Sequence, residues 1–285
     1  MQPAPLPQGY QEANGIAWGS RVPGLLEIKF NTPQNRNAST GEGQLTMAKL
    51  IQDAQNDKSI KVILLHGGSY YSSGNNLAAL TSVGTDKETI RKFGGKGIFD
   101  CMGPYLRAIN DSVKPVVSVV RGGALGIGFT TLSLVDFVFC GPDAHFMVPF
   151  MRTFQSPEGT STLNFPAIMG KRMAAEVLLL DKTMTAKEAV NCGFANSIVE
   201  ELQNESEWPD FLKIPQVKQL LQTDYSTLVN CKRILNAAKD NKSFEAALDV
   251  EGHGLLNSWL DPEFNGKLKN YMQKLAAQKS QRAKL

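Results

Sequence analysis

A single acidic residue, Glu158, stands out because of the residues around it. It lies between Pro157 and Gly159, in a stretch whose apolar side chains are Phe150, Met151, Phe154, Leu163 and Phe165. Proline is favoured in the first turn of a helix, so we predict a helix over residues 157–169 with Glu158 near its start. Apolar neighbours raise a carboxyl pKa, whereas a helix N-terminus lowers it. An acid between these influences is suited to removing a proton from carbon, although a surface glutamate that caps a helix is the alternative.

Two glycine-rich turns each follow a predicted buried strand. The first turn is S-S-G-N-N-L (72–77), and the second is G-G-A-L-G-I-G (122–128). Glycine lets the backbone approach a ligand closely, and the first turn of a following helix has free N–H groups. Two such groups aimed at one point would stabilise an oxygen that gains negative charge in a transition state.

The same residues fit two other kinds of site poorly. The second turn is similar to a dinucleotide-binding turn, with Asp143 about 20 residues further on. Its glycines, however, are spaced G-x-x-G-x-G rather than G-x-G-x-x-G, and Gly141 and Pro142 separate Asp143 from the preceding strand. Ser72 and Ser73 lie in no G-x-S-x-G pattern, so a serine nucleophile is not predicted.

Predicted strands and helices alternate along the first two thirds of the chain. We predict strands over residues 15–22, 25–30, 61–66, 116–120, 136–140, 145–148 and 197–199. Further helices are predicted over 40–56, 87–110, 172–179 and 186–192. Thr40 should cap the first of these, with an apolar side of Leu45, Met47, Leu50 and Ile51.

The pattern changes near residue 205, after which only helices are predicted. They cover residues 216–222, 226–239, 244–259 and 262–279. This order indicates an α/β core with an appended helical element. We therefore divide the chain into a flexible lead-in (1–10), a core (11–204) and a helical C-terminal segment (205–285).

Composition excludes several classes of protein. Hydrophobic residues make up 42% and charged residues 20% of the 285 positions, which is typical of a soluble globular protein. A net charge of +3 is too small to indicate nucleic-acid binding. No apolar run is long enough to span a membrane, and the N-terminus lacks the features of a secretory signal. The widely spaced cysteines and histidines predict free thiols and no metal site: Cys101, Cys140, Cys192, Cys231, His66, His145 and His253.

The last three residues resemble a targeting signal. Ala283-Lys284-Leu285 is a conservative variant of the Ser-Lys-Leu signal, which predicts a peroxisomal import receptor as partner and the peroxisomal matrix as location. The alternative is the end of a lysine-rich helix. Residues 265–285 are basic with no acid, which usually marks a solvated face but would also suit a phosphorylated ligand.

Taken together, these stretches resemble the crotonase (enoyl-CoA hydratase/isomerase) superfamily. The matching pieces, in family order, are F-N-T-P-Q-N-R-N-A (30–38), Y-Y-S-S-G-N-N-L (70–77), V-V-R-G-G-A-L-G-I-G (119–128), V-D-F-V-F (135–139) and F-M-V-P-F (146–150). The resemblance implies that residues 11–204 form a spiral of ββα units and that the helical C-terminal segment, residues 205–285, serves oligomerisation into homotrimers or hexamers. It also implies an acyl-CoA substrate, with CoA as part of the substrate and no separate cofactor.

The resemblance assigns roles to residues of both turns. The backbone N–H groups of Asn75 and Ile127 would hold the thioester oxygen. Substrate contacts are expected from Ser73, Gly74, Asn75, Asn76, Leu77, Gly126 and Phe150. Phe150, Met151, Phe154 and Phe165 could line an acyl pocket or could simply belong to the core.

The acids indicate which branch of the superfamily this chain is similar to. Hydratases carry glutamates at the positions that are Thr130 and Phe150 here, so hydration is not expected. Q-S-P-E-G (155–159) instead looks like the peroxisomal Δ3,Δ2-enoyl-CoA isomerase branch, in which the acid of this motif is the acid/base. Glu158 matches that position.

The resemblance therefore implies an isomerase of fatty acid β-oxidation. It would convert cis- or trans-3-enoyl-CoA to 2-trans-enoyl-CoA, with Glu158 moving the proton. The alternatives are another crotonase reaction (dienoyl-CoA isomerisation, hydration or thioester hydrolysis) or a non-catalytic acyl-CoA-binding protein.

Overall fold

The computed structural model describes the backbone of residues 3–282 and the side chains of residues 3–277. The predicted peroxisomal signal, residues 283–285, lies outside the described residues. So do the first two residues of the predicted lead-in, whereas Tyr10 donates a hydrogen bond to Glu27 and the carbonyl of Pro5 accepts one from Trp208.

The described residues form ten strands in two sheets. In chain order the strands are β1 (Gln11–Ala13), β2 (Ile16–Gly19), β3 (Leu25–Phe30), β4 (Val62–His66), β5 (Val116–Val120), β6 (Gly123–Leu125), β7 (Phe137–Cys140), β8 (His145–Met147), β9 (Met184–Thr185) and β10 (Ser197–Ile198). The main sheet has the order β1-β2-β3-β4-β5-β7-β10, and the small sheet has the order β6-β8-β9. Strands β3, β4, β5, β7 and β10 are parallel, whereas β1 and β2 add an antiparallel edge.

Helices cover both faces of the main sheet and form the C-terminal part. They are α1 (Gly41–Asn56), α2 (Leu77–Ser82), α3 (Lys87–Gly95), α4 (Gly103–Asn110), α5 (Ile127–Thr130), α6 (Ser161–Met169), α7 (Lys171–Leu180), α8 (Ala186–Asn191), α9 (Pro215–Gln222), α10 (Tyr225–Ala237), α11 (Asn241–Leu260) and α12 (Phe264–Arg282). A π-helical segment, Lys96–Met102, joins α3 to α4. Short 3-10 turns occupy Pro33–Asn35, Thr131–Ser133, Glu200–Leu202 and Phe211–Lys213.

The strand β4 shows why the apolar runs of the sequence are strands. Its alternate residues face two different hydrophobic clusters, with Ile63 and Leu65 in one and Val62 and Leu64 in the other. Every residue of this strand is buried. A parallel strand covered on both faces needs a continuous apolar run, which confirms the prediction for residues 61–66.

Most of the predicted helices are also confirmed. Thr40 caps α1 by accepting from the amide of Gly43, although Leu45 is exposed rather than on the buried side. The region 87–110 is helical throughout, and the glycines that interrupt its pattern fall at the end of α3 and in the π-helical segment. The four C-terminal helices are present, and all four cysteines are free.

The prediction for the start of α6 is wrong. This helix begins at Ser161, and Thr160 before it has left-handed backbone angles (φ 59°, ψ 21°). Glu158 therefore lies in an irregular segment three residues ahead of the helix, not in its first turn. Proline at position 157 favours a helix start locally, but contacts made later in the chain fix this backbone instead.

No helix in residues 3–282 has both the length and the apolar character that a membrane crossing requires.

Candidate active site

The two glycine turns lie side by side because their backbones are bonded to each other. The amide of Ser72 donates to the carbonyl of Gly123 (3.0 Å), and the amide of Leu125 donates to the carbonyl of Ser72 (2.9 Å). These bonds form an isolated parallel bridge between Ser72 and Ala124. Two turns that are 50 residues apart in the sequence thus become one structural unit at the carboxyl ends of β4 and β5.

Glycine is required where the turns meet. Gly74 has φ +83°, and a Cβ there would lie 2.8 Å from the carbonyl oxygen of Leu125 and 3.4 Å from Cα of Gly126. Gly126 has φ 51° and ψ −126°, a conformation that side chains with a Cβ rarely adopt. Glycine at these positions therefore allows the two backbones to approach each other closely.

The residue after each of these glycines has an unengaged amide. Within residues 3–282, the amides of Asn75 and Ile127 donate to no backbone or side-chain acceptor. Ile127 begins α5, where an N–H has no partner inside the helix. The two predicted oxyanion donors are thus both available, on backbone segments that touch each other.

Glu158 lies beside this unit and is almost fully buried, with 4% of its surface exposed. Its Oε2 accepts a hydrogen bond from Nδ2 of Asn75 (3.1 Å). Its Oε1 would lie 3.9 Å from a Cβ built at Gly126. The acid of one predicted motif therefore lies against both predicted turns.

The surroundings of Glu158 favour its protonated form. Burial raises the pKa of this carboxyl to about 8, the negative charge of Glu251 acts in the same direction, and the Asn75 hydrogen bond opposes both. A carboxyl with a pKa this close to neutrality can take up a proton and give it back, as general acid–base catalysis requires.

The side chain of Asn75 is itself held in place. Its Oδ1 accepts from Nε2 of Gln44 on α1 (3.1 Å), and the same nitrogen donates to the Ser39 hydroxyl (3.1 Å). Asn75 thus offers a backbone donor to the site and a side-chain donor to Glu158. Gln44 is buried on the same side of α1 as Met47 and Ile51. A polar residue on an otherwise apolar helix face is the feature of the sequence that could have indicated its role.

A cavity of about 240 Å³ opens next to Asn75. Its lining includes the polar residues Ser39, Thr40, Glu42, Gln44, Asn75 and Asn76 and the apolar residues Leu80, Phe93, Ile98, Met102, Leu255 and Trp259. The apolar residues come from α2, α3, the π-helical segment and α11. Sequence reasoning did not find this cavity because its wall combines residues from four separate elements.

The aromatic residues proposed for an acyl pocket lie elsewhere. Phe150 and Phe165 are buried in the core, whereas Met151 and Phe154 are about 40% exposed. None of the four lines the cavity beside Asn75. Phe150 belongs to the hydrophobic core, and its contact with substrate stays a prediction.

The other predicted substrate residues lie near the turn at residue 74. Ser73 donates its hydroxyl to the carbonyl of Asn35 (3.1 Å). Asn76 caps α2, accepting from the amide of Ala78, and it also lines the cavity. Leu77 packs partly buried against the core.

Comparison with known proteins assigns the family. A family model described as "Enoyl-CoA hydratase/isomerase" matches residues 21–278. The chain belongs to the enoyl-CoA hydratase/isomerase family.

Some of the curated proteins that the chain resembles are named enoyl-CoA delta isomerases. The chain is 35% identical over 197 residues to "Enoyl-CoA delta isomerase 2" of Rattus norvegicus, covering 69% of this chain and 49% of that protein. It is 35% identical over 192 residues to "Enoyl-CoA delta isomerase 3, peroxisomal" of Mus musculus, covering 65% of this chain and 57% of that protein. The chain thus spans about half the length of the curated relatives it matches.

A solved structure of the enoyl-CoA hydratase/isomerase family has the same fold. The enoyl-CoA hydratase from Bacillus halodurans superimposes with a TM-score of 0.78 over 90% of this chain and 100% of that chain, at 22% identity. The predicted α/β crotonase-type fold is therefore confirmed.

Proposed function

We propose that this chain moves the double bond of a 3-enoyl-CoA to the 2-trans position. The observation that carries the proposal is the pairing of one buried carboxyl, Glu158, with two unengaged backbone amides on touching turns. The relatives named enoyl-CoA delta isomerases support the same reaction.

The residues at two positions argue against hydration. Hydratases of this family carry glutamates at two positions that are Thr130 and Phe150 in this chain. Both side chains are buried, and neither can ionise near neutral pH. A single acid/base remains, and it suffices when a proton leaves one carbon and returns to another.

In the proposed mechanism, Glu158 first acts as a carboxylate and removes a proton from C2. That proton is acidic because it lies between the thioester carbonyl and the alkene, so its loss gives a delocalised dienolate. The amides of Asn75 and Ile127 donate to the thioester oxygen as its negative charge grows. Glu158, now protonated, returns the proton to C4. The double bond, which started between C3 and C4, then lies between C2 and C3.

We further propose that the acyl chain enters the cavity next to Asn75. Asn75, one of the proposed oxyanion donors, lines this cavity together with apolar side chains of α2, α3, the π-helical segment and α11. No separate cofactor is needed, because the proton and the electrons stay within the substrate and Glu158. Basic residues of α12 are candidates for the CoA phosphates, although Lys267 already pairs with Glu263 (2.6 Å).

Peroxisomal location, a role in β-oxidation and a homotrimeric or hexameric assembly are parts of the same proposal. The proposed location is supported by one relative that is named as peroxisomal.

The test is an assay of the purified protein with 3-hexenoyl-CoA, with hydration of 2-hexenoyl-CoA as the control reaction. We expect 2-enoyl product from the first substrate and little hydration of the second. Glu158→Gln keeps the shape of the side chain but removes the base, and we expect its rate to fall by at least about 100-fold. A Glu158→Gln rate within tenfold of the parent rate would refute the assignment.

A further inference from the structure

A second buried carboxylate, Glu251 of α11, binds the segment that follows Glu158. Its Oε2 accepts from the amide of Thr160 (2.6 Å). Its Oε1 accepts from both the amide (2.8 Å) and the hydroxyl (2.6 Å) of Thr162. The Glu251 side chain is buried, so these three hydrogen bonds form away from water. Buried hydrogen bonds to a charged group are among the stronger ones in proteins.

These bonds replace a cap that the local sequence does not provide. The helix α6 begins at Ser161, and Thr160 makes no side-chain cap bond to it. The first N–H groups of a helix need acceptors, and a negative charge is favourable at this end. Glu251 supplies both from about 90 residues further along the chain. The position of the backbone next to Glu158 is therefore set by α11.

The helix α11 contacts the same segment at two more points. Nε1 of Trp259 donates to Oε1 of Gln155 (3.2 Å). A Cβ built at Gly254 would lie 3.2 Å from the hydroxyl of Ser156. Residues 251, 254 and 259 thus hold the chain on both sides of Glu158, through Gln155 and Ser156 before it and Thr160 and Thr162 after it.

Glu251 also acts on Glu158 through its charge. Among the described residues, it is the ionisable group that shifts the pKa of Glu158, and it raises it. Burial raises the pKa of Glu251 itself, but the hydrogen bonds from Thr162 and Thr160 oppose this by stabilising the ionised form. The two carboxyls therefore disfavour simultaneous ionisation.

We propose that Glu251 is a positioning residue, which holds the segment around Glu158 against the two glycine turns and makes Glu158 a better proton acceptor through its negative charge. This inference rests on the proposed function. It assigns the C-terminal helical segment a part in the reaction, in addition to the oligomerisation predicted for it.

The decisive variant is Glu251→Gln, assayed with 3-hexenoyl-CoA across pH 5–9.5 at a temperature well below each variant's Tm. We expect kcat on the high-pH plateau to fall on the order of tenfold with KM within about twofold, because the substrate contacts remain while the base is displaced. Loss of the negative charge should also move the acidic limb of the profile to lower pH by about half a unit.

The matched control is Glu245→Gln on the same helix. Glu245 is half exposed and pairs with Arg107 (2.7 Å), away from the Glu158 segment. This change should therefore alter neither the plateau kcat nor the position of the acidic limb of the pH profile. Thr162→Val provides a milder variant in case Glu251→Gln does not fold. It removes one of the three bonds but keeps the charge, so kcat should fall about two- to fivefold with the limb unmoved.

A plateau kcat of Glu251→Gln within twofold of the parent would overturn the positioning role, even if Tm falls. An unmoved limb would overturn the role of the charge. If Glu251→Gln does not fold, an unchanged kcat in Thr162→Val overturns the positioning role.

A measurement without substrate separates this inference from the proposed function. The pH dependence of Tm can be compared between proteins with Glu or Gln at position 158, in the parent and in the Glu251→Gln background. In each background, the pH dependence of the Tm difference between Glu and Gln at position 158 reports the ionisation of Glu158. A shift of that ionisation to lower pH in the Glu251→Gln background supports the coupling even if no isomerase activity is found, and its absence contradicts the coupling even in an active enzyme.

Discussion

At the scale of single residues, the site depends on one carboxyl in an environment that stabilises its neutral form. Glu158 is buried beside a second carboxylate, and its only hydrogen-bond donor within the described residues is the side-chain Nδ2 of Asn75. Such a group is poorly placed for stability, because its charged form loses more solvation than one hydrogen bond restores. It is well placed for proton transfer, because its protonated and ionised forms differ little in free energy near neutral pH.

The elevated pKa makes a prediction about stability that is independent of activity. The pKa of Glu158 is raised from 4.5 to about 8, so between these values the folded protein holds a proton that the unfolded chain has lost. The stability of the parent protein should therefore fall as pH rises through this window. Glu158→Gln carries no such proton, and its Tm should exceed the parent value by a margin that grows from pH 5 to pH 9, reaching about 4 °C or more.

The control for this prediction is Glu245→Gln, measured by the same thermal scans. The pKa of Glu245 is lowered by its pairing with Arg107, so it is ionised in both the folded and unfolded states across the range. Its effect on Tm should be independent of pH. A constant Tm difference for Glu158→Gln would show that the pKa of Glu158 is not elevated.

At the scale of elements, two turns act as one because their backbones touch. The hydrogen bonds between Ser72, Gly123 and Leu125 fix their separation, and Gly74 leaves no side chain between them. The amides of the next residues therefore lie on backbone segments of fixed separation, and fixed donors are what stabilisation of a developing oxyanion requires.

Gly74→Ala should separate the two turns. The new Cβ would lie 2.8 Å from a backbone oxygen, which cannot rotate away as a flexible side chain can. We expect kcat/KM with 3-hexenoyl-CoA to fall by about 100-fold or more, since small displacements of catalytic groups have effects of this size.

Gly84→Ala is a matched control for this substitution. Gly84 has nearly the same backbone angle, φ +84°, but a Cβ there meets nothing within 4 Å. It should therefore carry the cost of the left-handed conformation alone, about 1–3 kcal/mol, with kcat/KM close to the parent value. Equal losses of activity in both variants would show that backbone strain, not the approach of the turns, is responsible.

At the scale of the whole molecule, the C-terminal helices complete the site. Leu255 and Trp259 of α11 form part of the cavity wall, and Glu251 of the same helix binds the Glu158 segment. Several residues of α11 and α12 also belong to the main hydrophobic cluster: Phe244, Leu248, Leu255, Trp259, Phe264 and Leu268. The helical segment therefore packs as part of the core.

Under the proposed function, filling the cavity should change the acyl chain length that the protein accepts. Ala79 on α2 lines the cavity, and Ala79→Phe would occupy space that the proposed acyl chain needs. We expect the kcat/KM ratio of 3-dodecenoyl-CoA to 3-hexenoyl-CoA to fall about tenfold, a size typical of discrimination by an apolar pocket. Ala78→Phe, on the exposed side of the same helix, should leave the ratio unchanged. An unchanged ratio in Ala79→Phe would place the acyl chain outside this cavity.

The sequence by itself determined the features that depend on neighbouring residues. The strand β4 could be predicted because burial on both faces requires an apolar run. The start of α1 could be predicted because Thr40 caps its own helix. The two turns could be found because glycine is favoured where φ is positive and where two backbones approach closely. Glu158 could be singled out as the acid because its motif is short and continuous, and the resemblance to the family added the roles of Asn75 and Ile127 as a prediction.

The tertiary structure alone decided the features that depend on distant residues. The start of α6 differs from the prediction because its acceptor, Glu251, comes from α11 and outweighs the local preference of Pro157. The strands β6 and β9 have only two or three residues and exist through their pairing with β8. The cavity wall combines four elements, and the elevated pKa of Glu158 arises from burial and from a charge about 90 residues away. Sequence patterns record local preferences, whereas burial, electrostatic coupling and cavities arise only when distant segments pack together.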